Sequence, residues 1–209
     1  MKNLSWFTLA MILSYTHFAV ASQDSNTKNE GDKISFTIDA NGYFMGSPNV
    51  TQEGGLASHM SLQGKSKQVG DTLINVIAEV KVRLKNGVPE NCITPDGDQG
   101  ISLDLVKSRG IVQLVKSGDQ LFTKATSMSL CMSFKCFNQD GSAKEGCTFQ
   151  PDATAEIIGG TGAFACATGH LNDIQTRTIL ETNPQGQPFG SVSKYTAVGT
   201  LQNPKNCNN

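Results

Sequence analysis

A strict two-residue alternation constrains this chain more than anything else in it. Ile74, Val76, Ala78, Val80, Val82 and Leu84 alternate with Asn75, Ile77, Glu79, Lys81 and Arg83, and Met128, Leu130, Met132, Phe134 and Cys136 alternate with Ser127, Ser129, Cys131, Ser133 and Lys135. Successive side chains of a strand point to opposite faces, so each run reads as a strand with one apolar face. Ile34, Phe36 and Ile38 repeat the pattern near the start, and shorter strands are expected around residues 101–106, 111–115, 153–158, 171–180 and 191–201, about eight in all. No window sustains helical spacing, and the turn signals Asn41-Gly42, Asn86-Gly87, Asp96-Gly97 and Asp140-Gly141 fall between strand candidates. The class is all-β, and an antiparallel eight-stranded barrel is expected over a sandwich because closure removes the edges that long alternating strands expose.

The first 21 residues stand apart. Lys2 precedes a mostly apolar stretch, and Ala19-Val20-Ala21 has the small-x-small pattern of a cleavage site, so residues 1–21 are expected to be a signal peptide. A membrane anchor would need about 20 mostly apolar residues, and Ser14, Tyr15, Thr16 and His17 interrupt this run. Residues 22–32 have no large apolar side chain and read as a disordered leader, leaving residues 33–209 as one barrel domain. No later stretch is long and apolar enough to span a bilayer as a helix. The net charge is −1, and the three arginines, Arg83, Arg109 and Arg177, are scattered rather than clustered, so a nucleic-acid partner is not expected.

Six cysteines (Cys92, Cys131, Cys136, Cys147, Cys166, Cys207) follow the expected signal, an even count that in an exported chain points to disulfides and a secreted or periplasmic location. Cys136 and Cys147 flank a polar, glycine-bearing segment that reads as a hairpin loop, and a bridge between them is expected. Free buried thiols or a zinc site are the alternatives. No Cys-x-x-Cys pair exists and the expected mature chain has only His59 and His170, so no metal is expected.

Gly159-Gly160-Thr161-Gly162 lies between β-prone runs and is followed by Phe164 and Gly169; such a cluster reads as a sharp bend or bulge, a barrel corner. This stretch resembles the Gly-Gly-Thr-Gly-x-Phe-x-x-Ala-x-Gly signature of the allene oxide cyclase and dirigent-like barrel proteins. Residues 55–64, with His59 between two glycines, and Gly118-Asp119-Gln120-Leu121-Phe122 also look like segments of secreted bacterial barrels of that type. The resemblance spans roughly residues 54–202 and implies an enclosed antiparallel barrel. It brings no catalytic residues with it, since those of the plant enzymes have no counterparts that can be numbered here. A lipocalin is less well matched, because the only tryptophan is Trp6.

The chemistry-bearing residues are few. His59 and His170 are candidates for the barrel rim, but no carboxylate or nucleophile is spaced to work with them. Asp96-Gly97-Asp98 opens like a calcium loop, yet the twelfth position is Lys107 where a glutamate is needed. Asn49-Val50-Thr51 is a glycosylation acceptor only in a host with that pathway. Met128, Leu130, Met132 and Phe134 share one parity and are expected to face the interior, as core or as the lining of a ligand cavity. The function read from the chain is therefore binding of a small apolar molecule without a cofactor. An isomerase, cyclase or dirigent-like protein that orients an apolar substrate is the second class, and a structural or host-contacting surface protein the third. Oligomeric state and catalysis are not legible in these residues.

Overall fold

The computed structural model describes residues 32–50 and 54–203. Twelve strands follow in chain order: β1 (Asp32–Val50), β2 (Leu56–Ser66), β3 (Gly70–Val82), β4 (Leu84–Lys85), β5 (Val88–Pro89), β6 (Asn91–Ile93), β7 (Gln99–Leu114), β8 (Gln120–Ser133), β9 (Thr148–Phe149), β10 (Asp152–Gly160), β11 (Thr168–Thr182) and β12 (Pro188–Asn203). The eight long ones form a meander. β1, β2, β3, β7, β8, β10, β11 and β12 each pair antiparallel with the next, and β12 returns to β1, closing an eight-stranded barrel. The short β6 and β9 extend it at one end, and β4–β5 is a separate hairpin turning at Asn86-Gly87, where both residues have positive φ.

The number of long strands agrees with the sequence reading, but the assignment differs. The runs at 101–106 and 111–115 fall on one strand, β7, which ends at Leu114, and the last residue of the first run forms a bulge: Glu79 pairs with Lys107 but Val80 with Leu105. The extra residue, Val106, switches which parity faces inward, so two short strands were expected where one kinked strand runs. β2, not among the expected strands, supplies the eighth. Asn41-Gly42 is no turn; it lies mid-strand in β1, opposite Lys194 and Ser193. Gly42 is needed there for close approach, since a Cβ would overlap the Ser61 carbonyl oxygen of β2. Asp32, placed in the leader, already pairs with Asn203. The expected signal peptide, the rest of the leader, Thr51 and Cys207 lie outside the described residues.

The barrel has two differently built ends. At one, Phe36, Ile38, Leu62, Ile74, Val112, Leu121, Ile157 and Leu201 meet from successive strands, and Phe164 and Ala167 of the β10–β11 connection close over them. The glycine-rich corner makes this closure. Gly159 (φ 135°) ends the regular register of β10 and Gly162 (φ 53°) opens a single 3-10 turn, Gly162–Phe164. Thr161 secures it to β8: its amide donates to the Gln120 carbonyl (2.8 Å), and its Oγ1 accepts from the Gln120 amide (2.9 Å). The glycine corner Gly159–Gly162 and the segment Gly118–Phe122 thus meet at the closed end and build the fold there.

At the other end a second, smaller cluster joins Leu130, Met132, Cys136, Phe149 and Ile179. Two disulfides lie here. Cys136–Cys147 is the expected bridge (Cα–Cα 5.4 Å), and Cys92–Cys131 ties β6 to β8 (Cα–Cα 5.8 Å). Cys166 is bonded as well, and no described cysteine is free. Covalent staples matter where the excursion spanning residues 134–150 has little regular structure of its own.

Candidate functional site

Between the two clusters the interior is neither apolar nor full. A chamber of about 260 Å³ opens at the disulfide end, walled by residues that include Val80, Leu103, Met128, Leu130, Met132 and Phe149. It narrows to a pocket of about 60 Å³ lined by Ser58, Ser108, Thr123, Asp173, Gln175 and Tyr195, among others. Phe44, Ser58, Ala78, Met128 and Arg177 border both spaces and form the neck. Below it the closed-end cluster is the floor.

Asp173, Gln175 and Arg177 are alternate residues of β11, so all three project to its inner face. They form a relay along the strand. Gln175 Nε2 donates to Asp173 Oδ1 (2.7 Å), and Arg177 donates to Gln175 Oε1 from both Nε (2.9 Å) and Nη2 (2.6 Å). The Arg177 guanidinium also lies 4.1 Å from the centroid of the Phe44 ring, and its Nη2 approaches Met60 Sδ at 3.9 Å. All three residues are buried, as is Tyr195, which β12 places directly opposite Gln175.

Burial governs the electrostatics. Loss of solvent pushes the Asp173 carboxyl up to about 6; the Gln175 hydrogen bond and the Arg177 charge pull it down without cancelling that effect, and Asp152 adds a small upward push. The same loss of solvent lowers Arg177 to about 10, partly offset by Asp173, so the guanidinium stays charged at neutral pH. The Tyr195 phenol is raised well above its ordinary value, first by burial and then by the Asp173 charge. The neck and the narrow pocket below it therefore present together one fixed cation, a carboxyl that titrates near pH 6, and a neutral phenol.

The residues singled out from the sequence separate cleanly. Met128, Leu130 and Met132 line the chamber. Phe134 does not: it is 43% exposed, because β8 ends at Ser133 and the chain turns into a 3-10 segment, Phe134–Cys136, whose first turn Ser133 caps by accepting from the Lys135 amide. His59 and His170 are not at the cavity rim. Both are exposed and alternate with inward-facing neighbours, Met60 and Leu171, so they sit on the outer wall, where His170 lies 3.4 Å from Thr200 Oγ1. Gly169 joins the corner as the partner of Ile157 and Leu201.

Asp173, Gln175, Arg177 and Tyr195 were missed. A polar trio alternating with Ile174 suggests an outward-facing polar side, whereas Ile174 is the exposed residue, at 64%. The available signal was the bracket: Leu171 and Ile179 share the trio's parity and are both buried. Among the described residues no group of His, Cys, Asp or Glu side chains could hold a metal, and no helix is long and apolar enough to cross a membrane. No protein-family model, curated protein or solved structure matches the chain.

Proposed function

We propose that this chain is an exported barrel, secreted or periplasmic, that binds a small and mostly apolar molecule in its open-ended chamber. One observation carries the reading: eight strands that could have packed solid instead leave about 260 Å³ walled by Leu103, Met128, Leu130, Met132 and Phe149. That volume approaches the size range of small-molecule sites, about 300–1,000 Å³. Methionine side chains suit such a wall because an unbranched thioether adapts to the shape beside it. The disulfides fit an oxidising compartment, and the corner motif supports kinship with allene oxide cyclase and dirigent-like barrels.

Titration with an environment-sensitive apolar fluorophore tests this. Wild type should enhance its emission saturably, and Leu130→Trp, which fills the chamber, should weaken binding at least tenfold while the protein stays folded. Equal binding by the two proteins would place the dye outside the chamber and defeat the reading.

The second reading, an isomerase or cyclase that orients its substrate, is favoured by the Asp173 carboxyl, which titrates near 6 beside Tyr195 and so is suited to moving a proton near neutrality. Turnover lost in Asp173→Asn but retained in His170→Ala would support it. A chamber that binds nothing would leave a scaffold or surface-contact role.

A further inference from the structure

Arg177 offers more than a wall for an apolar ligand. It is 9% exposed, yet it borders both the wide chamber and the narrow pocket. A guanidinium carries five N–H donors. Those on Nε and Nη2 are directed at Gln175 and Met60, while the two on Nη1 have no partner among the described residues. Gln175 and the Phe44 ring hold the group in one orientation, so the free edge is fixed before any ligand arrives. A buried cation with idle donors at the neck of an apolar funnel is an anion anchor in a low-dielectric setting, where a charge-assisted hydrogen bond is strong.

We propose that the ligand is a small monocarboxylic acid with a compact apolar body, entering acid end first so that its carboxylate meets Arg177 Nη1 and its body fills the methionine-lined chamber. Three features set this class. The space tapers from about 260 to about 60 Å³, matching a bulky body and a small head. Among the described residues lining these spaces Arg177 is the one cation, so a single negative charge is matched, whereas a dianion would be half unpaired. Asp173 lies two residues beyond Gln175 and repels further negative charge. The other inward side chains around the neck bring no competing charge: Phe44 from β1, Ser58 and Met60 from β2, Val76 and Ala78 from β3, Leu105 and Ser108 from β7, Thr123 and Met128 from β8, and Ala153 from β10 are neutral, and β12 contributes Tyr195. Asp152 acts on Asp173 only as a minor neighbour.

This inference rests on the proposed ligand chamber, and the test separates the two. Calorimetric titration at pH 7.5 compares 4-phenylbutyrate, 4-phenylbutanol and 4-phenylbutylamine, which share a body and differ in head group. The acid should bind at least tenfold tighter than the alcohol, and the amine no better than the alcohol. Arg177→Gln should remove the acid's advantage. Because loss of a buried arginine can also disturb folding, Asp173→Asn supplies an independent reading: with the neighbouring carboxylate gone, the acid should bind several-fold tighter. Alcohol and acid binding equally would overturn the carboxylate assignment and leave the chamber intact as an apolar site. An acid that binds more weakly to Asp173→Asn would overturn it as well. Binding of none of the three would remove both proposals.

Discussion

The two halves of the barrel are made by the same eight strands, yet one is solid and the other hollow. The difference lies in what the inward positions carry and in how each end is closed. At the solid end, branched and aromatic side chains from neighbouring strands interlock and a short 3-10 turn brings Phe164 over them. At the hollow end the connections are longer, the inner wall is thinner in bulk, and disulfides tie the surrounding excursions. Strand alternation builds both; it does not by itself decide whether a barrel holds a core or a cavity.

Truncation should expose the contrast most sharply. Leu62, 2% exposed in the solid half, should lose up to about 5 kcal/mol on replacement by alanine, because the packed surroundings cannot collapse into the void. Met128→Ala should cost only about 1–2 kcal/mol, since that side chain already borders open space. Urea unfolding of the two variants measures both, and equal losses would break the comparison.

The staples come next. Replacing Cys92 and Cys131 by alanine opens a link with a sequence separation of 39 and should cost about 4 kcal/mol by chain entropy. Opening Cys136–Cys147, with a separation of 11, should cost about 3 kcal/mol. Thermal melts that rank the two pairs in the opposite order would show that native packing around residues 134–150, rather than loop length, sets the value of the shorter bridge.

A pH-dependent effect belongs to the boundary between the halves. The folded Asp173 carboxyl titrates at about 6 against an ordinary 3.8, so its contribution to stability is fully present below about pH 4 and is lost as pH rises through 6. The loss amounts to about 3 kcal/mol at most. Asp173→Asn should flatten that slope, and unfolding curves at pH 4 and pH 7.5 measure it. A wild-type protein equally stable at both values would mean that Asp173 is better solvated than its burial implies.

The sequence made the solid half far more legible than the hollow one. Ile74, Phe36 and Ile38 advertised their inward parity because the same residues that pattern a strand also fill its core. The glycine corner was visible because Gly159 and Gly162 occupy backbone conformations that other residues resist. Of the hollow half, the chamber wall at Met128, Leu130 and Met132 was legible from shared parity, whereas the rest of the site was not, for three physical reasons. Asp173, Gln175 and Arg177 face inward against the usual polar-out rule, which only their mutual hydrogen bonds permit. The bulge in β7 at Val106, and a second in β8 where Thr154 pairs with Ser127 but Ala155 with Ala125, shift parity within a strand. At Phe134 the alternation outlasts the strand: the chain leaves β8 at Ser133 while its apolar period continues through Phe134 and Cys136, so a face inferred from spacing no longer corresponds to a face in space.

The pairing of β1 with β12 also has a kinetic meaning. Asp32 lies opposite Asn203, so the closing seam joins strands from opposite ends of the described chain. Loop closure over such a separation comes late, and folding rates fall as contacts become less local. Until β12 arrives, β1 presents an open strand edge along the fourteen residues from Asp32 to Met45, a template to which another copy could add. A chain of this design is therefore most vulnerable to aggregation just before its last strand docks, and any chaperone that attends its folding has one edge above all to shield.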